Sequence, residues 1–265
     1  MGGLNMKEIS VAVFGDLTAY IPDTEEVLGG RVSVAMPETL SPGEWGVYDA
    51  VLIFSGNSSG EVDPILASSL VGHPHLRVIA GIGDGARDAY RAELRALLSE
   101  TECERKFLVS YPDTEALRTY PLASRAHLVQ TYLRSEEGTT ERVRMRETDG
   151  HTVYTHTVKR RIDNATAEEY EREIDGGEYL RLLGARDPDR RPVDKERWCV
   201  LYRGRYFELD VYPFWSDRAI VELEYAEATS EMPDFPPFFR LIREVTDDVR
   251  YKNVRLAASV PYDEI

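Results

Sequence analysis

The spacing of apolar positions along the chain changes near residue 100. Before that point, short apolar and β-branched runs of the length that suits buried parallel strands occur at residues 9–14, 31–35, 48–55 and 76–80. Residues 87–98 instead carry their apolar side chains at helical spacing. This part is therefore predicted to form a small open sheet with helices, an α/β arrangement.

Beyond residue 100, apolar and polar positions alternate with a period of two, which is typical of antiparallel strands. Two helices are predicted within this part, at residues 177–184 and 237–245. Eight strands are predicted: 102–109, 128–134, 140–147, 152–161, 168–174, 196–202, 206–212 and 219–225. We therefore expect two domains, one over residues 1–100 and one over residues 101–265.

One face of nearly every predicted strand is charged. Residues two apart in a strand share a face, so Arg142, Arg144 and Arg146 lie together on one side. The other strands are charged in the same way, and Lys106 follows the first acidic pair on its face. The acidic sets are Glu102 and Glu104, Glu169, Glu171 and Glu173, Glu208 and Asp210, and Glu222 and Glu224; the further basic sets are Lys159 and Arg161, and Lys195 and Arg197.

An ordinary sheet turns a charged face to water, and for any one strand this interpretation is the better one. Seven such strands favour a closed barrel, because the outward positions are apolar and suited to packing under helices. A charged interior is tolerable where opposite charges and a ligand satisfy each other. We therefore predict an α+β fold: an eight-stranded antiparallel β-barrel tunnel with peripheral helices, preceded by a small α/β domain.

The sorted charges indicate two kinds of binding inside this barrel. Carboxylates supply the hard oxygen ligands that Mg²⁺ or Mn²⁺ prefers. Rows of arginine and lysine suit phosphate oxygens. The sequence thus predicts a site for a divalent cation and a phosphate chain.

Composition limits the kinds of molecule that the protein is expected to bind and the place where it is expected to act. A formal net charge of −15 argues against a broad nucleic-acid surface, although residues 142–161 are locally basic. The longest apolar runs fall far below the roughly 18 residues that a membrane span needs. Because Cys103 and Cys199 form no disulfide or metal pattern and the N-terminus has no signal-peptide pattern, we expect a cytoplasmic protein without a transmembrane segment.

The order of the charged motifs resembles a known superfamily. Residues 102–106 read E-x-E-x-K, which resembles the opening strand of CYTH proteins, the triphosphate tunnel metalloenzymes. Matching segments follow in order at 130–133, 142–146, 155–161, 195–197, 208–210 and 222–224. Within the superfamily, segments 154–158, 179–183, 206–210 and 236–238 are similar to the CYTH-like domain of NadR-like ATPase fusion proteins, although the P-loop motif of those fusions is absent from this chain.

The resemblance implies roles for the charged residues. A divalent cation, Mg²⁺ or Mn²⁺, would be held by Glu102, Glu104, Glu208, Asp210, Glu222 and Glu224. The phosphate chain would be bound by Lys106, Arg142, Arg144, Arg146, Lys159, Arg161, Lys195 and Arg197. The residues expected to act in catalysis are Glu102, Glu104, Lys106, Glu171 and Glu173, of which Glu171 or Glu173 orients water or the basic rows.

Three functions agree with this site. The first is metal-dependent hydrolysis of a triphosphate-containing small molecule or short polyphosphate, by a triphosphatase-type phosphohydrolase acting on acid anhydrides. The second is a non-catalytic binding module or sensor for nucleotides or phosphorylated, phosphoinositide-like ligands. Adenylyl cyclase activity is a lesser option.

Other chemically interesting residues are better explained structurally. Strand alternation places His156 opposite the tunnel face, and His73 and His75 lack a third metal ligand. The Gly81–Gly85 loop follows a strand and precedes a helix, but its spacing fits a tight turn better than a nucleotide loop. The role of the first domain stays open between docking of a protein partner and shielding of the tunnel mouth.

Overall fold

The computed structural model describes residues 8–15, 31–41, 44, 47–57, 59–73, 75–99, 103–161, 167–226 and 229–264; for residues 161 and 167–169 it describes the backbone alone. Within these ranges, no helix has the length and apolar character that a membrane crossing requires. The described residues form one parallel and one antiparallel sheet. This agrees with the predicted α+β class.

The first sheet has four parallel strands in the order β2-β1-β3-β4. Buried Val11, Leu52 and Ile79 pack with Tyr90 and Leu94 of the second helix in one core cluster. We call this sheet with its helices the α/β part. Its elements are β1 (Ile9–Phe14), β2 (Val32–Ala35), β3 (Ala50–Phe54), β4 (Leu76–Ile79), α1 (Pro64–Leu70) and α2 (Gly83–Leu98), and all except α1 confirm the sequence prediction.

Helix α1 is an addition to the prediction, and its cause is local. The Asp63 side chain accepts hydrogen bonds from the backbone of Ile65 and Leu66, and a proline occupies the first turn. Both features are typical of helix starts. Ala67 and Leu70 bury the inner face of this short helix.

The second sheet has nine antiparallel strands in the order β13-β5-β12-β11-β10-β6-β7-β8-β9. Helices α3 (Thr114–Thr119), α4 (Gly176–Leu183) and α5 (Asn253–Leu256) lie between or after its strands, together with a 3₁₀ turn at Val249–Tyr251. The strands are β5 (Cys103–Ser110), β6 (Ala123–Tyr132), β7 (Thr139–Thr148), β8 (His151–Arg161), β9 (Ala167–Ile174), β10 (Val193–Tyr202), β11 (Arg205–Val211), β12 (Arg218–Tyr225) and β13 (Leu241–Glu244).

The helix predicted over residues 237–245 is wrong, and the strand count rises from eight to nine. Leu241–Glu244 forms β13 at the edge of the sheet, with a register shift against β5. Backbone bonds from Ser110 to Arg240 and from Val245 to Lys106 hold it there. The backbone groups of this segment therefore bond to β5 instead of forming bonds within a helix.

The antiparallel sheet curls around its charged side. Strands β5 and β6 are four strand spacings apart in the pairing order, roughly 19 Å in a flat sheet. Yet Leu108 of β5 and Tyr132 of β6 belong to the same cluster of buried residues. The two side chains therefore approach each other across a concave surface. Within the described ranges, however, the edge strands β13 and β9 do not pair with each other.

The α/β part packs against one end of this concave surface. Cys199, Leu201 and Tyr206 of β10 and β11 share a core cluster with Leu70 and Leu76 of the α/β part. We call this end the mouth; it is formed by the strand positions of Arg146, Cys199, Tyr206 and Glu224. The two sheets are thus held together by buried apolar contacts at the mouth.

Candidate functional site

The concave surface carries a set of charged side chains that are almost fully buried. Lys195 and Asp210 are 2% and 0% exposed, and Lys106, Arg197 and Glu222 are buried as well. Charged residues reach such burial only when they are paired. We call the concave surface the charged face; its described charged members are Glu104, Lys106, Arg142, Arg144, Arg146, Lys159, Glu171, Glu173, Lys195, Arg197, Glu208, Asp210, Glu222 and Glu224.

Strand register places the buried acids and bases opposite one another. Arg197 faces Asp210 across β10 and β11, and its Nε and Nη2 donate to the two Asp210 carboxylate oxygens, each at 2.7 Å. Its Nη2 also lies 2.6 Å from Glu222 Oε2, and its Nη1 donates to Glu208. Lys195 donates to the same Asp210 carboxylate. Arg197 is therefore fixed by three carboxylates.

Lys106 sits in a second group of the network. Its ammonium donates to Glu222 and lies 3.0 Å from Glu104 Oε2. Burial alone would lower the pKa of Lys106, but these two carboxylates outweigh burial and raise it. Lys106 is therefore a fixed positive charge.

Lys195 has a different electrostatic setting. Burial and the charge of Arg197 lower the pKa of Lys195 to about 8, against the opposing pull of Asp210 and Glu222. Because Lys195 and Asp210 are the most buried members of the charged face and bond each other, they form its floor.

On β7 to β9, basic charge exceeds acidic charge. Glu171 accepts a 2.5 Å hydrogen bond from the Thr157 hydroxyl and lies 3.6 Å from Arg142. Burial would raise the pKa of Glu171, but Arg144, Arg142 and this hydrogen bond lower it to about 2. On this side, two carboxylates of the described charged face meet four basic side chains, which leaves net positive charge: Glu171 and Glu173 against Arg142, Arg144, Arg146 and Lys159.

Several buried polar side-chain atoms on β7 and β8 have no hydrogen bond within the described residues, and two of them are register neighbours on the charged face. Arg144 Nε and Thr155 Oγ1 are both inaccessible and without a hydrogen bond in that part of the chain. Arg144 and Thr155 are direct register partners on β7 and β8. Burial lowers the pKa of Arg144, and the charge of Arg142 adds to this effect. An anion in contact with these two positions would satisfy both donors.

The other predicted residues are placed as follows. Arg146 Nη2 donates to the Gly72 carbonyl at 2.8 Å, so this arginine contacts the α/β part. Glu173 and Lys159 lie on the charged face of β9 and β8 by register. Glu102 falls outside the described residues, and only the backbone of Arg161 is described. His156 lies on the opposite face and pairs with Glu141 at 2.8 Å, as the alternation predicts.

Two residues of the α/β part reach the charged face without having been predicted there. Arg77 donates to Glu224. Burial and Arg77 lower the pKa of His75 to about 4, while the charges of Glu171 and Glu208 oppose this, so His75 lies near both strands that carry them. Strand alternation carries no signal for such a contact, because the two residues belong to a different sheet.

The carboxylates of the charged face have the chemistry of a divalent-cation site. Glu104 and Glu224 occupy directly paired positions on β5 and β12, and Glu208 pairs with Glu222 on β11 and β12. These are the oxygen ligands that Mg²⁺ and Mn²⁺ take. In the described ranges no group of three or more His, Cys, Asp or Glu side chains is arranged to hold a metal. The carboxylates therefore suit a divalent cation by the type of their donor atoms, and they lie in pairs. Glu102, which belongs to the same E-x-E-x-K motif as Glu104, falls outside the described ranges.

Comparison with known proteins identifies the family. No protein-family model matches the chain. It is 37% identical to an inorganic triphosphatase of Nitrosomonas europaea over 165 residues, which make up 61% of this chain and 99% of that protein. The chain belongs to the CYTH, or triphosphate tunnel metalloenzyme, superfamily.

Solved structures resemble the CYTH chain as well. A crystal structure of an inorganic triphosphatase is 36% identical, with 61% of this chain and 97% of that chain covered and a TM-score of 0.41. A structure from Pyrococcus horikoshii is 22% identical, covers 45% of this chain and 77% of that one, and has a TM-score of 0.34. The 37% identity to the Nitrosomonas europaea triphosphatase confirms the CYTH resemblance predicted from the ordered charged motifs, while the likeness to NadR-like fusions stays a prediction.

Proposed function

We propose that the protein is a metal-dependent phosphohydrolase that cleaves a triphosphate-bearing small molecule or a short polyphosphate on the charged face. The observation that carries this proposal is the pair of buried donors without a partner, Arg144 Nε and Thr155 Oγ1, beside an excess of arginine. A buried unsatisfied donor is costly, and a phosphate oxygen would relieve that cost. The 37% identity to an inorganic triphosphatase supports the same reaction class.

Different basic residues would bind different parts of the phosphate chain. Arg142 and Arg144 would bind non-bridging oxygens at one end of the chain, where Glu171 balances only part of their charge. Lys106 and Arg197 would contact the chain from the other side of the curled sheet. These fixed cations stabilise the negative charge that develops on the leaving phosphate.

The acidic residues would hold the metal. Glu104, Glu222 and Glu224 lie on β5 and β12, and we propose that they hold Mg²⁺ or Mn²⁺ together with Glu102. Such an ion neutralises phosphate charge and lowers the pKa of bound water. Asp210 differs from the other predicted ligands in being fully buried, and Lys195 and Arg197 bond both of its oxygens. We propose that Asp210 positions Arg197.

A second candidate function is a binding module or sensor without turnover. It is favoured by the ion pairs themselves, since Glu104, Glu208, Glu222 and Glu224 each contact a lysine or arginine. A face whose charges already satisfy one another can hold a ligand without catalysing a reaction.

Phosphate release distinguishes the two functions. The protein is incubated with Mg²⁺ or Mn²⁺ and with tripolyphosphate, ATP, GTP or thiamine triphosphate, and release is compared with that of Lys106→Gln. We expect metal-dependent release from at least one substrate, lost in the variant. Tight binding of a substrate that never turns over, with binding lost in Lys106→Gln, would favour the sensor and contradict the hydrolase.

A further inference from the structure

A cavity lies between the α/β part and the mouth of the charged face. Its volume is about 430 Å³, and it is lined by Arg77 and Glu93 of the α/β part and by Glu208 and Glu224 of the antiparallel sheet. The cavity therefore opens onto carboxylates of the charged face. Any ligand that enters here meets Arg77 together with those carboxylates.

The α/β part is fixed over the mouth by polar as well as apolar contacts. The buried Tyr206 hydroxyl lies 2.9 Å from the Val71 carbonyl and 2.8 Å from the His73 carbonyl. Gly60 and Gly204 also meet so closely that a Cβ on either would lie 2.8 Å from the Cα of the other. Residues 71–73 and 75–77 are thus held in place at the mouth.

Arg77 projects from this segment toward the antiparallel sheet. Its Nη2 donates to Glu224, its Nε lies 3.6 Å from Glu93 Oε2, and its Nη1 donates to the Leu76 carbonyl at 3.0 Å. Glu93 belongs to helix α2 of the same part, so this ion pair holds the guanidinium from the side of the α/β part. Glu224 is the more exposed of the two carboxylates, at 34% against 18%. The Glu224 contact is therefore the one that a ligand entering the cavity can replace.

The cavity adjoins the basic rows of the charged face, because Glu208, which lines it, accepts from Arg197 Nη1, and Arg146 at the end of the β7 row donates to the Gly72 carbonyl. The charges of both arginines act on the His75 imidazole, whose pKa burial lowers in the first place. Arg77 and Arg144 therefore lie near the same side chain. A phosphate chain bound along the arginine row of β7 would extend toward the cavity in which Arg77 lies.

We infer that Arg77 is a substrate-binding residue which the α/β part contributes to the charged face, where its guanidinium binds the end of the phosphate chain that lies in the mouth. A planar guanidinium suits this role, because it presents paired donors to phosphate oxygens. The inference rests on the proposed function for the identity of the ligand. It adds a residue from outside the shared family region: the aligned inorganic triphosphatase is matched over 99% of its length by 61% of this chain, and the ordered family motifs begin at residue 102.

The test compares Arg77→Gln with Arg203→Gln. Arg203 lines the same cavity and carries the same charge, but it is 60% exposed and pairs with Asp234 on the outside. Tripolyphosphate binding is measured by calorimetry in EDTA, so the result does not depend on turnover. We expect about tenfold weaker binding in Arg77→Gln and less than about twofold change in Arg203→Gln, as loss of a hydrogen bond to a charged group implies.

Kinetic measurement separates this inference from the proposed function. If the protein releases phosphate, Arg77→Gln should raise KM much more than it lowers kcat. Equal KM values in the two variants, with wild-type hydrolysis intact, would overturn the role of Arg77 and leave the function standing. If the wild-type protein binds tripolyphosphate without releasing phosphate, the binding comparison still decides the role of Arg77.

A third variant guards against loss of folding. Arg77→Lys keeps the charge and the aliphatic stem but lacks the planar fork, so binding should fall between that of wild type and Arg77→Gln. Thermal unfolding of each variant establishes that it is folded. Wild-type affinity in Arg77→Lys and Arg77→Gln alike would overturn the inference.

Discussion

Arg144 is the single residue that best defines the proposed phosphate site. Its side chain is surrounded by strands, its Nε has no partner among the described residues, and Thr155 beside it is in the same position. The sequence could predict that Arg144 lies on the charged face, because alternation within one strand is a local property. The sequence could not show that Arg144 Nε lacks a hydrogen-bond partner, because that depends on how the neighbouring strands pack.

Arg144→Gln tests this site at the residue scale. We expect the KM or dissociation constant for tripolyphosphate to rise by about 10- to 100-fold, since one charge-assisted contact contributes roughly 1.5–3 kcal/mol. Arg125→Gln is the matched control, because Arg125 is 54% exposed and pairs with Glu196 on the outer face. Similar losses in both variants, measured by enzyme kinetics or calorimetry, would contradict a specific role for Arg144.

At the scale of elements, the strands were predictable where their two faces differ chemically. Eight strands of the antiparallel sheet follow from alternation, but β13 has only four residues and a register shift, so its place depends on β5. The start of helix α1 is indicated locally by Asp63, which caps the helix N-terminus, and by the proline that follows it. Short elements thus need either a cap or a partner strand to be recognised.

Helix α1 leads directly into the segment that contacts Tyr206 at the mouth. We expect Asp63→Ala to lower the free energy of unfolding by about 1 kcal/mol, because two backbone N–H groups lose their acceptor. Asp63→Ser, which can still cap, should retain most of that free energy. Urea denaturation of the three proteins checks this, and equal midpoints for Ala and wild type would show that the cap is not needed.

At the scale of the whole molecule, the contact between the two sheets is the feature that sequence reasoning missed. His75 and Arg77 reach the charged face from another sheet, and no local pattern encodes a contact between residues as distant as 77 and 224. The structure gives contacts that agree with shielding of the mouth, one of the two roles left open for the first domain. A protein partner for that domain stays a prediction.

The pH dependence of the free energy of unfolding tests the contact between the two sheets. The pKa of His75 is lowered from 6.5 to about 4, chiefly by burial. An unfolded chain takes up this proton near pH 6.5 and the folded protein does not, so the free energy of unfolding falls as the pH drops from about 6.5 through about 4. The partly buried ring suggests a loss of about 2 kcal/mol.

His75→Gln should abolish that part of the pH dependence, as measured by urea unfolding at pH 7 and pH 4. His127→Gln is the control, because His127 lies on the outer side of β6 and its side chain is 43% exposed. If His75→Gln and the wild-type protein lose the same stability on acidification, His75 is not enclosed between the two sheets.

A crystal structure with bound tripolyphosphate would show whether the arginine rows of the charged face bind a phosphate chain. We predict phosphate oxygens within hydrogen-bonding distance of Arg144 Nε and Thr155 Oγ1, with the chain extending toward Arg77. Tripolyphosphate bound only on the outer surface, with Arg144 still unoccupied at saturating ligand, would contradict the account.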